Sequence, residues 1–69
     1  MSISARNKLK GKISEIVKGD VMAEITIEVG QNIIDAVITR RSAEELNLKK
    51  GDTVVAVIKA TEVMVSKED

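Results

Sequence analysis

The chain has no cysteine, no histidine and no aromatic residue among its 69 positions, and each absence excludes something. Without cysteine there is no disulfide, and without either thiolate or imidazole there is no site of the kind that transition-metal ions prefer. The usual general base and the best thiol nucleophile are missing as well. The serines and lysines that remain fall in no catalytic motif, so the chain reads as a non-enzyme with no cofactor. The stacking surface of Phe, Tyr or Trp on which single-stranded nucleic acid usually rests is also absent. Eleven basic residues balance eleven acidic ones, which leaves no long-range attraction for phosphate or for an anionic membrane. The longest apolar run, residues 54–58, is far short of the roughly 20 residues that a membrane-spanning helix requires. No basic start followed by an apolar stretch marks a secretory signal, so the cytoplasm is the expected location.

What is present is β-forming. Isoleucine and valine number eighteen against three leucines, and branched side chains suit a pleated, half-buried surface. One small domain, residues 1–69, is the most such a length holds, and a core of this size is marginal for a monomer. Association with further copies of the chain is the expected source of added stability.

Residues 7–17 alternate loosely, with Leu9 and Ile13 on one side and Lys8, Lys10 and Lys12 on the other. Gly11 interrupts the apolar side and the phase slips at Glu15 and Ile16, which predicts a strand with a bend or bulge. After a turn at Lys18-Gly19-Asp20, residues 21–29 alternate cleanly as a second strand. A turn at Gly30-Gln31-Asn32 leads to a third strand at 33–39, apolar on both faces except at Asp35. Ser42-Ala43-Glu44-Glu45 fits a capping box with Ser42 as N-cap, so a short helix is expected, with Leu46 and Leu48 plugging a core. Lys49-Lys50-Gly51-Asp52 turns the chain into a fourth strand at 53–59, and residues 63–65 are expected as a fifth. The predicted fold is mostly β: a single five-stranded OB-like Greek-key barrel with one short helix between strands 3 and 4.

Charge is unevenly spread. Residues 1–18 carry a net of plus four, residues 19–39 a net of minus four, and the remainder is neutral. This asymmetry predicts complementary pairing, either within one subunit or between subunits. Glu24 and Glu28 share a strand face and could hold a hard cation, but alternating acids on a strand usually face water. The donors form a more suggestive set: Ser4, Arg6 and Asn7 at the start, Thr39 and Ser42 at the mouth of the helix, and Lys59, Ala60 and Thr61 near the end. A dehydrated oxyanion needs many fixed donors and one or two cations. Taken singly, Ser42 reads as a helix cap, Lys59 as a strand-end lysine and the start as a frayed terminus. An OB-fold module binding single-stranded nucleic acid or another protein is the alternative.

Ser4-Ala5-Arg6-Asn7 followed by Leu9 and Gly11, then Ala36-Val37-Ile38-Thr39 with Ser42 and Leu46, then Gly51-Asp52 leading into Ile58-Lys59-Ala60-Thr61-Glu62-Val63-Met64, resembles the molbindin (Mop) family. The resemblance spans almost the whole chain. It implies a single Mop domain related to TOBE domains that binds molybdate and tungstate for intracellular storage and homeostasis. It also implies a homohexamer, a trimer of dimers, with anion sites between subunits and neither nucleic acid nor membrane as a partner. The family's oxyanion contacts fall on Ser4, Ala5, Arg6, Thr39, Ser42, Lys59 and Ala60, with Asn7 in a structural place. Ala60 stands where relatives often carry serine, which leaves its backbone N–H as the donor. Arg40 and Arg41 stand where small or acidic residues are common.

Overall fold

The computed structural model describes residues 5–68. Its frame is one antiparallel sheet of four strands: β1 (Ala5–Lys18), β2 (Met22–Val29), β3 (Asn32–Thr39) and β4 (Thr53–Lys59). A short helix, α1 (Arg40–Glu45), lies between β3 and β4, and a 3₁₀ turn at Ala60–Glu62 follows β4. The strand order is β3-β2-β1-β4. Three strands joined in sequence, with the fourth returning beside the first, make a Greek key.

β1 belongs to both halves of the sheet. Its first part, from Ala5 to Lys12, pairs with β4, and its second part, from Lys12 to Lys18, pairs with β2. A straight strand of 14 residues would be roughly 45 Å long. The longest dimension of the molecule is 38 Å, so the strand curls. Two features bend it. The register shifts between Ile13 and Glu15, a bulge at the place where the apolar phase slips in the sequence. At Gly11 the strand passes so close to β2 that a Cβ would collide with the Glu28 carbonyl oxygen and stand 2.9 Å from Cγ2 of both Ile27 and Val29.

The clean alternation of β2 is visible in burial, with Ala23, Ile25 and Ile27 inside and Glu24 and Glu28 exposed. The β2–β3 hairpin turns at Gly30, whose φ of 61° is the left-handed value that the first position of a two-residue II′ hairpin requires. Ile13, Ala23, Ile25, Ile27, Ala43 and Ala56 form the buried core, with Ile16, Val29, Ile34, Ala36, Ile38, Leu48 and Val54 packed around it. The loop before β4 is held to the bulge by the Ile13 main chain. Gly51 N–H donates to its carbonyl at 2.8 Å, and its own N–H donates to the Asp52 carbonyl at 3.0 Å.

Three expectations are corrected. The N-cap of α1 is Thr39, not Ser42: Thr39 Oγ1 accepts from Ser42 N–H at 3.0 Å and donates to Ser42 Oγ at 2.8 Å. Thr39-x-x-Ser42 thus takes the role assigned to Ser42-x-x-Glu45, because β3 runs out at Thr39 and puts its extended backbone at the cap position. The helix ends at Glu45 in a Schellman turn. Asn47 adopts φ 52°, Asn47 N–H donates to Glu44 O at 3.0 Å and Leu48 N–H to Ala43 O at 3.1 Å. That turn sends Leu48 to the core and leaves Leu46 66% exposed, while Ala43 takes the buried place.

The fifth strand is not formed by this chain. Residues 63–65 have no ladder partner among the described residues, and Met64 and Val65 are each 93% exposed. After the 3₁₀ turn they leave the edge of β4 and meet no other edge, so the sheet remains open between β3 and β4. A cavity of about 220 Å³, lined by Ile25, Ile27, Ala36, Ile38, Leu48 and Val54 among others, lies on its inner face.

Gly11→Ala should destabilise the fold by about 1–3 kcal/mol, the usual cost of an inserted methyl that backbone cannot escape, read as a lowered midpoint in urea unfolding. Thr39→Val should cost about 1 kcal/mol through the lost cap. Ser42→Ala, which keeps the backbone N–H that the cap receives, should cost less in the same assay.

Candidate functional site

The expected site residues separate into two groups. At the start of β1, Ala5 is the register partner of Lys59, and the pairing then shifts so that Asn7 faces Ile58. Arg6 is the extra residue in that shift. An unpaired residue in a bulge is re-aimed relative to its neighbours, and Arg6 is exposed at this point. Asn7 holds the joint by donating Nδ2–H to the Ile58 carbonyl at 3.3 Å. Directly beyond Lys59 the 3₁₀ turn begins at Ala60, and no side chain caps its N-terminal amides. Arg6, Lys59 and the amides around Ala60 therefore share one end of the sheet. Glu62 in the same turn is the nearby acidic residue on the sequence. Ser4 lies outside the described residues.

The second group stands where β3 enters α1. Thr39 faces Met22 in the register, near the Lys18 end of β1. Its hydroxyl is spent on Ser42, as donor to Oγ and acceptor from N–H, whereas Ser42 accepts through Oγ and keeps its own hydroxyl proton to donate outward. The amide supply at this helix start is smaller than the bare pattern suggests. Arg40 N–H donates to Val21 O at 2.8 Å and Ser42 N–H to Thr39, which leaves the Arg41 N–H as the first-turn donor without a partner among the described residues.

An open cleft of about 610 Å³ adjoins this corner, lined by Asp20, Val21, Thr39, Arg40, Arg41 and Glu44. Arg40 is committed within it. Its Nε pairs with Glu44 Oε2 at 3.1 Å, and Nη1 donates to the Gly19 carbonyl at 3.4 Å, so it ties α1 to the β1–β2 turn. Arg41 has no ion-pair partner among the described residues and is the available cation of the corner.

Among the described residues the two groups do not meet within one chain. The register puts Lys59 at the Ala5 end of β1 and Thr39 at the Lys18 end. Each end supplies cationic and neutral donors, and neither alone supplies the set that a dehydrated dianion requires. Among the described residues no cluster of acidic residues is arranged to hold a metal ion, and no helix is long and apolar enough to cross a membrane. The bulge at Arg6 was not foreseen in the sequence. Alternation betrays a bulge only where the inward residues are apolar, and next to Arg6 stands the polar, half-buried Asn7.

The family model of the TOBE domain matches residues 3–65. Molybdenum-pterin-binding protein 1 of Clostridium pasteurianum is 50% identical over 66 residues, covering 94% of this chain and 97% of its own. A probable molybdenum-pterin-binding protein of Haemophilus influenzae is 45% identical over 69 residues, covering 99% and 100%. Among solved structures, a molybdate binding protein from Sporomusa ovata superimposes with a TM-score of 0.92 at 48% identity, covering 97% of this chain and all of the other. MopII from Clostridium pasteurianum does so with a TM-score of 0.89 at 48% identity, covering 96% and 100%. Sequence and fold agree over nearly the full length on both sides, and the chain belongs to the TOBE-domain family, among its small molybdenum-pterin-binding (Mop, molbindin) proteins.

Proposed function

We propose that this chain binds molybdate, and tungstate through the same contacts, at sites between copies of itself, and that it serves cytoplasmic storage and homeostasis of molybdenum without a catalytic step. The observation that carries this reading is the separation of the two donor groups along β1. Arg6, Lys59 and the Ala60 amide of one copy need Thr39, Ser42 and Arg41 of another to complete a cage. Ser4 and Ala5 extend the first group. The names of the relatives, a molybdate binding protein among them, support the choice of anion.

Assembly has a physical motive in the same structure. The sheet is open between β3 and β4, an apolar cavity lies on its inner face, and residues 63–65 project without a ladder partner among the described residues. In the proposed assembly, a homohexamer built as a trimer of dimers, that apolar surface is covered and each single Mop domain is completed to the closed five-stranded OB-like barrel. Partners are the oxyanion and further copies of the chain, with neither nucleic acid nor membrane involved.

Selectivity follows from size. Molybdate and sulfate are both tetrahedral dianions that ask for like donors, but a rigid cage fitted to the larger ion leaves the smaller one with long, weak hydrogen bonds. Calorimetry should therefore show tight molybdate and tungstate binding with weak competition from sulfate. Equal affinity for sulfate refutes the assignment. Arg6→Ala should weaken molybdate binding by about 10- to 100-fold, the usual effect of losing a hydrogen bond from a charged donor. Lys50→Ala, in the exposed turn before β4, should change it by less than about threefold, and equal losses in the two variants would remove Arg6 from the site.

A further inference from the structure

A cage that selects its guest by size must not contract around a smaller one, so its donors have to be held by something other than the anion. At the Thr39–Ser42 corner, buried packing does little of this. Ala43 is the buried residue of α1, and a helix of six residues has little stability of its own.

Arg40 supplies the hold. Its N–H donates to the Val21 carbonyl at 2.8 Å, and its planar guanidinium reaches two further segments. Nε donates to Glu44 Oε2 at 3.1 Å, in the last turn of α1, and Nη1 to the Gly19 carbonyl at 3.4 Å, in the β1–β2 turn. Gly19 N–H donates in its turn to the Met22 carbonyl at 2.7 Å, and Met22 is the register partner of Thr39. These bonds close a ring: from Thr39 along α1 to Glu44, across Arg40 to Gly19, and back through Met22 to Thr39. Both hydroxyls of the corner, Thr39 and Ser42, stand on it.

Two observations separate position from charge. The Arg40–Glu44 pair carries no net charge, so it adds little to the field at the corner beside Arg41, which has no ion-pair partner among the described residues. The two side chains are also 44% and 51% exposed, and an ion pair so open to water contributes little to stability. What the pair does supply is geometry, because the two nitrogens lie in one rigid fork and fix the helix relative to the turn.

We propose that Arg40 is the specificity-determining positioning residue of the oxyanion site: by clamping α1 to the β1–β2 turn it keeps Thr39 and Ser42 at the spacing of molybdate and stops them closing on the smaller sulfate. The inference rests on the oxyanion site proposed above and names what sets its selectivity. Arg40 acts through the two hydroxyls and not by contact with the anion.

Competition calorimetry with sodium molybdate and sodium sulfate tests it, on the unmodified chain and on Arg40→Ala, Arg40→Lys and Glu44→Ala variants. The ratio of molybdate to sulfate affinity should fall by at least about tenfold in all three, with sulfate bound no more weakly than before. Lysine keeps the charge but offers one nitrogen where the fork offers two. A purely electrostatic part for the pair predicts a different pattern. Both dianions then weaken by one common factor in Arg40→Ala, recover in Arg40→Lys, and tighten in Glu44→Ala, where a repelling carboxylate is gone. That pattern overturns the proposal. So does a merely structural part, since loss of folded protein lowers the competent fraction alike for both anions and leaves the ratio unchanged. If Arg40→Ala does not fold, Glu44→Ala decides, because it leaves the Arg40 N–H and Nη1 bonds in place. An unmodified chain that takes up no molybdate refutes the oxyanion site and this inference with it. An unmodified chain that prefers molybdate, with variants that keep its ratio, refutes the part of Arg40 alone.

Discussion

Everything in this molecule depends on one strand serving both halves of a single sheet. β1 pairs with β4 over its first part and with β2 over its second, and it can do so only by curling. The curl is made by a bulge past Ile13 and by the missing Cβ at Gly11, where the Glu28 carbonyl occupies the space a side chain would need. Small inner residues, Ala23, Ala43 and Ala56, let the curled faces approach around Ile13, Ile25 and Ile27. The result encloses a core on one side and leaves the other side open. With 69 residues and no disulfide or aromatic residue, the chain has little else with which to close it.

The same curl distributes the chemistry. Because the strand is long and turned, its two ends carry different donor groups in different directions: a bulged arginine with the β4 terminus at one, a threonine–serine corner with a free guanidinium at the other. In the proposed function a tetrahedral dianion draws on both, which is why that reading puts its site between copies. Arg40 has a different part from Arg41 despite being its neighbour. Bonded to Glu44 and to the Gly19 carbonyl, it fixes the corner, whereas Arg41 lines the cleft with no ion-pair partner among the described residues.

Much of this was legible in the residues. The strict alternation from Val21 to Val29 marks β2, and the phase slip at Glu15 and Ile16 marks the bulge, because an inward apolar residue that arrives one place late has only one geometric explanation. Two-sided apolar strands at β3 and β4 are edge strands, with Ile33, Val37, Val55 and Val57 exposed. The misreadings have physical causes too. Thr39-x-x-Ser42 and Ser42-x-x-Glu45 are both plausible caps, and only the end of β3 chooses between them. Leu46 looks like core by type, but the left-handed Asn47 turns it out. Residues 63–65 have strand composition and no strand, since a ladder needs an edge and this chain offers them none.

The pairing of Ala5 with Lys59 bears on how the chain comes to be folded during synthesis. The start of β1 is matched to the end of β4, far along the chain, so the hairpin of β2 and β3, built from neighbouring residues, can form early while the amino-terminal half of β1 waits. Until β4 is released, Lys8, Lys10 and Leu9 are held in an unmatched ribbon. That ribbon zips up only once β4 is available, and the rate of the step sets how long the folding chain spends with its hydrophobic interior uncovered on two sides instead of one.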